Sequence, residues 1–213
     1  QDIRHEKFDG FIITGAPIEM LDYEAVSYWP RMREILDWTR THVHSCFYIC
    51  WGAMAALWHF HHIQKYTLPT KAFGVYRHKN LEPTSPYLTG FSDDFQFPVS
   101  RNAEIQREDI LSVPDLRLLV ESDFTGPCLV SEPDRRALYM FNHIEYDSLS
   151  LKEEYERDCK KNRKTRPPHG YFPGDDIQAR PLNRWRANAH LLFGNWINQV
   201  YQSVPFKIED IGV

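Results

Sequence analysis

Residues 46–58, Cys46-Phe47-Tyr48-Ile49-Cys50-Trp51-Gly52-Ala53-Met54-Ala55-Ala56-Leu57-Trp58, hold the turn on which the fold is decided. A short apolar run suited to a buried strand leads without a linker into an Ala-rich, helix-favouring stretch. The reading is a strand, a sharp turn at Cys50 and a helix from Trp51, with Gly52 permitting the tightness. Upstream, the apolar run at residues 8–14 stops at Gly15-Ala16-Pro17, as a core strand ending in a loop does. Between the two, Trp29, Met32, Ile35, Leu36 and Trp38 recur at helical spacing, with Pro30 in the first turn. Alternating strand and helix predicts an α/β protein whose parallel strands carry ligand sites at their carboxyl ends, where both Gly15-Ala16-Pro17 and Cys50 fall. Residues 71–130 change character to short β-like pieces with turns, including Phe73-Gly74-Val75-Tyr76 and residues 95–99 and 116–120, which reads as antiparallel. Ala137-Leu138-Tyr139-Met140-Phe141 restores a buried strand, followed by a polar helix over about residues 148–161. A last helix over about residues 184–202 places Trp185, Ala189, Leu192, Trp196 and Val200 on one face.

Composition narrows the function. With 213 residues, 42% hydrophobic and 25% charged, the chain builds one full core rather than two domains, and disorder is excluded as its main state. Basic residues number 25 against 29 acidic ones, for a net charge of −4, so no broad basic field awaits a phosphate backbone and nucleic acid is not expected. No run of apolar residues is long enough for a membrane helix, and the opening Gln1-Asp2-Ile3-Arg4-His5-Glu6-Lys7 is not a signal peptide, so a cytoplasmic location is expected. The four cysteines form no CxxC pair and no disulfide framework. His59, His61 and His62 lack a cysteine or carboxylate at ligand spacing and read as a helix end, so no metal is expected. Residues 160–168 form a basic, proline-broken loop, and Gly15-Ala16-Pro17 is too short for a dinucleotide fingerprint.

Chemistry concentrates at two strand ends. A thiol at Cys50 sits at a helix N-terminus, where free backbone N–H groups and the helix dipole favour its anionic form. Cys46, within the strand, reads as structural. His143-Ile144-Glu145 follows the later strand, so a base and its orienting carboxylate can project into the same crevice. Nucleophile, base and orienter at the strand ends of one α/β sheet suit acyl transfer through a thioester.

These residues resemble the homoserine O-acyltransferase (homoserine transsuccinylase) family, which has the class I glutamine amidotransferase-like fold. The resemblance spans the chain: Phe8-Asp9-Gly10, Thr14-Gly15-Ala16-Pro17, Tyr28-Trp29-Pro30, Cys50-Trp51-Gly52, Phe73-Gly74-Val75-Tyr76, Ser100-Arg101, His143-Ile144-Glu145-Tyr146-Asp147, Tyr171-Phe172-Pro173, Arg184-Trp185-Arg186 and Leu191-Leu192-Phe193-Gly194-Asn195-Trp196. It implies a flavodoxin-like three-layer sandwich with a mostly parallel central sheet and a smaller antiparallel portion. It further implies that Cys50 takes an acyl group from acyl-CoA and passes it to the hydroxyl of L-homoserine, at the entry to methionine biosynthesis. His143 is then the base, Glu145 its orienter and the Trp51 N–H one oxyanion donor, with another from the loop after Gly15-Ala16-Pro17. By the same resemblance Lys71, Ser100 and Arg157 line the substrate site, and an arginine suits the amino acid's carboxylate.

In that family the second residue after the Gly-Ala-Pro goes with the acyl donor, glycine with succinyl-CoA and glutamate with acetyl-CoA; here it is Glu19. Acetyl-CoA is therefore the expected cosubstrate, and no bound cofactor is implied. Succinyl-CoA as donor, serine as acceptor, a glutamine-hydrolysing relative and a non-catalytic remnant are the alternatives. Tyr48, where amidotransferases often carry glycine, favours acyl transfer over glutamine hydrolysis. The family carries a further N-terminal segment, so the expectation is one catalytic domain over residues 1–213 without those units, with a separate N-terminal fragment as a partner if the protein is cleaved. Oligomeric state is left open, a C2 homodimer being the commonest case.

Overall fold

A computed structural model of the chain describes residues 3–161 and 165–205. The strands β1 (Phe8–Ile13) and β2 (Val43–Ile49) are joined by α1 (Trp29–His42), and α2 (Trp51–His61) begins one residue after Cys50. Pro30 lies in the first turn of α1, where its missing N–H has no helical acceptor to lose. Trp29, Met32, Leu36 and Thr39 form the buried stripe of α1. Ile35, expected in it, is 42% exposed at the border.

The middle of the chain forms a long hairpin, β3 (Tyr66–Asn80) with β4 (Asp94–Glu104), then α3 (Arg107–Leu111), β5 (Arg117–Ser122), β6 (Gly126–Glu132) and β7 (Ala137–Met140). Helices α4 (Ser150–Lys160) and α5 (Arg186–Ser203) complete it. One seven-stranded sheet runs β1-β2-β7-β6-β5-β3-β4. The α/β architecture is the expected one, but the balance within the sheet differs. Parallel pairing joins only β1, β2 and β7, while β6, β5, β3 and β4 are added antiparallel, so the antiparallel portion is the larger. The physical reason is connection length: β3 to β7 are linked mainly by turns and one short helix, too little chain for parallel crossovers.

Strand residues alternate between two cores, as burial on both faces requires. From β2, Cys46 and Tyr48 join α1 and α2 on one face, while Phe47 and Ile49 join the α5 side. From β7, Tyr139 takes the first face and Leu138 and Met140 the second. Trp185, Ala189, Leu192 and Trp196 line the second core, the face predicted for the last helix. The outcome is three layers, helix, sheet, helix.

Because β1, β2 and β7 are mutually parallel, their carboxyl ends share one edge, and the loops after Ile13, Ile49 and Met140 meet there. β3 is tied to β5 by only two register pairs, Lys79 with Glu121 and Asn80 with Val120, and the sheet curls so that β4 returns over that edge. The Pro98 carbonyl of β4 accepts the His143 N–H at 3.1 Å. Asn162, Arg163 and Lys164 of the basic loop, and Gln1 and Asp2 of the N-terminus, lie outside the described residues. Among the described residues no helix is long and apolar enough to cross a membrane.

Candidate active site

The Cys50 turn is strained. Its backbone has φ 52° and ψ −123°, a left-handed conformation that costs a non-glycine residue about 1–3 kcal/mol and clusters at reactive sites. The turn is held from both sides: the Cys50 N–H donates to the Met140 carbonyl at 2.7 Å, and its own carbonyl accepts from Ala53 and Met54 in α2. Glycines make the room. A Cβ on Gly52 would lie 2.8 Å from the Ile13 oxygen and 2.9 Å from that of Thr14, so α2 can approach β1 only with glycine there. A Cβ on Gly15 would lie 2.8 Å from Cys50 Cβ, 3.0 Å from the Trp51 nitrogen and 3.2 Å from Cys50 Sγ. The Gly15 loop therefore stands directly over the thiol and the first amide of α2.

His143 lies between Cys50 and Glu145 and is hydrogen-bonded to both. Glu145 Oε1 lies 2.6 Å from His143 Nδ1, which leaves Nε2 for the hydrogen bond between His143 and Cys50. Burial of the imidazole opposes its charge, but the hydrogen bonds to Cys50 and Glu145 and their negative charge prevail, raising the pKa to about 10. Tyr146 stacks on the imidazole, with ring centroids 4.4 Å apart and planes at 16°. The backbone of Tyr146 is itself anchored, its carbonyl accepting from Trp185 Nε1 at 2.8 Å.

Lys71, Ser100 and Arg157 come together, and what gathers them is a pair of acids the sequence reading did not single out. Glu154 Oε1 accepts from Lys71 Nζ at 2.7 Å and Ser100 Oγ at 2.8 Å, and lies 3.4 Å from the Arg157 guanidinium. Asp158 Oδ2 accepts from Lys71 at 3.1 Å, and its Oδ1 is 3.5 Å from Arg157. The Tyr146 hydroxyl reaches Glu154 Oε2 at 3.5 Å, linking this cluster to the imidazole face. The sequence did hold a signal: Glu154, Arg157 and Asp158 lie at i, i+3 and i+4 on α4, one charged stripe. Glu19 sits apart from the acids, its Oε1 accepting from both Asn102 Nδ2 at 2.8 Å and Asn102 N at 3.2 Å. Asn102 is two residues beyond Ser100, so Glu19 borders the same face of β4.

The residues set aside in the sequence stay outside this constellation. His59 Nε2 pairs with Asp37 and His61 Nε2 with Glu132, while His62 closes α2 in the left-handed conformation. Cys46 and Cys128 are buried, and burial pushes both thiols up, whereas Cys159 is exposed; all four cysteines are free.

A family model described as homoserine O-succinyltransferase matches residues 1–206. A protein of Hyphomonas neptunium named homoserine O-acetyltransferase is 62% identical over 212 residues, covering 100% of this chain and 70% of its own length. One of the same name from Rhizobium leguminosarum bv. trifolii is 59% identical over 213 residues, at 100% and 69% coverage. Among solved structures, a glutamine amidotransferase from Thermotoga maritima superposes with TM-score 0.63 at 12% identity, over 90% of this chain and 78% of that one. Another, from Methylobacillus flagellatus, gives TM-score 0.60 at 11% identity, over 89% and 76%. At such identities the likeness is one of fold, and it is the amidotransferase-like fold anticipated from the motifs.

Proposed function

Since the chain belongs to the homoserine O-succinyltransferase family, we propose that Cys50, His143 and Glu145 are the groups with which it transfers an acetyl unit from acetyl-CoA to L-homoserine. Homoserine O-acyl transfer is the activity of the chain, carried by relatives 56% to 62% identical over its full length and named homoserine O-acetyltransferase. The observation that carries the residue assignment is the Cys50–His143–Glu145 chain of hydrogen bonds at the parallel strand ends.

In the first half-reaction the Cys50 sulfur attacks the acetyl carbonyl carbon, and the C–S bond to CoA breaks as His143 gives its proton to the departing sulfur. In the second, the homoserine hydroxyl loses its proton to His143 as its oxygen bonds the acetyl carbon, and Cys50 leaves as thiolate. Negative charge on the acyl oxygen falls beside the Trp51 N–H. In the loop above it Pro17 has no N–H and that of Ile18 is given to the Ala16 carbonyl at 2.8 Å, so the second donor is drawn from Gly15 and Ala16. Two such donors placed in advance supply much of the rate enhancement of acyl transfer.

Charge complementarity supports the acceptor site. Lys71 and Arg157 match an amino acid's carboxylate, and Glu154 and Asp158 its ammonium group, so a zwitterion can replace the pairings the side chains make with each other. Acetyl-CoA as donor is supported by Glu19, a half-buried carboxylate held by Asn102 that repels the free carboxylate of a succinyl group. The family description favours succinyl-CoA as the second reading. A single catalytic domain and a cytoplasmic setting, in keeping with four unpaired cysteines, belong to the same proposal.

Intact-protein mass spectrometry tests it. Acetyl-CoA should add one acetyl group, homoserine should remove it, and Cys50→Ser should take none. A labelled Cys50→Ser protein would mean another nucleophile, and transfer without any adduct would mean direct attack by homoserine.

A further inference from the structure

Next to Ser100 on β4 stands a charge that the mechanism above does not use. Arg101 is 1% exposed, yet no carboxylate lies within ion-pair distance of it among the described residues. An arginine stays protonated in proteins, and burying an unpaired charge costs several kcal/mol. Its NH1 donates to Asn142 Oδ1 at 2.6 Å and its NH2 to the Thr125 carbonyl, while Nε has no partner. Asn142 Nδ2 faces His78 Nε2 at 2.8 Å and Cys128 Sγ at 3.0 Å, and His78 Nδ1 donates to the Tyr76 carbonyl at 2.9 Å. Arg101, Asn142, His78 and Cys128 are all buried.

None of these neighbours neutralises the guanidinium. Burial holds His78 at about 3 and pushes the Cys128 thiol and the Tyr76 hydroxyl up, so all three are uncharged near neutrality. Besides the Cys128 thiol and the Tyr76 hydroxyl, the acidic groups close enough to interact with Arg101 are Cys50 and Glu104, farther along β4. The connection to the active site is short. Met140 accepts the Cys50 N–H, Asn142 accepts the guanidinium, and His143 is the next residue, its own N–H held by Pro98.

We propose that Arg101 is a positioning residue of the active site: its fork fixes Asn142, and with it the peptide that presents His143, and its uncompensated charge attracts the negative charge that gathers on the Cys50 sulfur. The idea rests on Cys50 being the nucleophile. Arg101→Met removes charge and fork together; Arg101→Lys keeps the charge and loses the planar fork. Iodoacetamide alkylation of Cys50 at pH 7, read by peptide mass spectrometry so that Cys159 is scored separately, should slow about tenfold in Arg101→Met and return to within about threefold of the parent in Arg101→Lys. Steady-state kinetics should show a lower kcat in both variants, with KM for homoserine nearly unchanged.

Parent-like alkylation in Arg101→Met, or an equal loss in both variants, overturns the role of the charge; parent-like kcat in Arg101→Lys overturns the role of the fork. Should Arg101→Met not fold, Arg101→Lys decides alone, because a tenfold alkylation loss there contradicts the charge argument and an unchanged kcat contradicts the fork. Failure of the parent protein to form an acetyl adduct would refute the thioester reading separately, since alkylation needs no acyl-CoA.

Discussion

Gly15→Ala is the substitution whose effect the geometry defines most closely. The added methyl carbon would lie 3.0 Å from the Trp51 nitrogen and 3.2 Å from Cys50 Sγ. An oxyanion needs to sit about 2.7–3.1 Å from its donors, so the methyl takes the space of the oxygen itself. Loss of one oxyanion donor lowers turnover by about 10²–10³, or about 2.7–4 kcal/mol, and excluding the oxygen should cost at least this much. Relief by movement is limited, because the contacts at 2.8 and 3.0 Å are with Cys50 Cβ and the α2 backbone, not the far end of a flexible side chain. Overpacking of this kind costs about 1–3 kcal/mol of stability, and each kcal/mol lowers the melting temperature of a chain this size by about 2–4 °C. Rapid-quench mass spectrometry of the acetyl adduct gives the acylation rate, and thermal melting the stability. Gly174→Ala is the control: its φ of +61° makes alanine strained, but nothing lies within 4 Å of the added carbon. Acylation should collapse in Gly15→Ala and persist in Gly174→Ala. An acylation rate within about threefold of the parent in Gly15→Ala would refute the oxyanion assignment.

Other outcomes test other parts of the site. Glu19→Gly should raise the use of succinyl-CoA relative to acetyl-CoA, and an unchanged ratio in a competition assay would remove Glu19 from donor choice. Arg157→Ala should raise KM for homoserine about tenfold or more while acetyl-enzyme forms at the parent rate; a slowed first half-reaction would place Arg157 on the CoA side instead. His78, ordinarily near 6.5, is held at about 3 by burial, so below pH 6.5 the unfolded chain takes up a proton that the folded chain refuses. Stability therefore falls as pH drops toward 3, by about 2 kcal/mol from this residue at pH 5. Urea unfolding of His78→Gln should show a flatter loss between pH 7 and 5, and a slope equal to the parent's would contradict a neutral buried imidazole.

What the sequence revealed was what local patterning encodes. The strand, turn and helix around Cys50 follow from adjacent apolar and Ala-rich runs, and the strand-end His143-Ile144-Glu145 from the same logic. The middle was harder. β3 contains Pro69 and a register shift between Thr67 and Ala72, and β6 opens with Gly126-Pro127, so both imitate turns. β4 tolerates Pro98 because it is an edge strand. Glu154 and Asp158 look like a solvated helix face until Lys71 and Ser100 arrive from the hairpin. Arg101 stands in the Ser100-Arg101 motif, but nothing local marks it as buried, because its partners Asn142 and Thr125 are distant in sequence.

The place of β7 in the sheet governs when the site can come into being. It lies between β2 and β6, so roughly ninety residues of chain separate it from the strand it joins in parallel, a long closure to make before any contact rewards it. β1, α1, β2 and α2 can dock on one another early, leaving Cys50 on its turn with no base beside it. His143 reaches the thiol only when β7 has slotted in and its Met140 carbonyl has captured the Cys50 amide. Among the described residues β7 is the last strand in the chain, so its place in the sheet both joins the parallel to the antiparallel strands and sets the base beside the thiol.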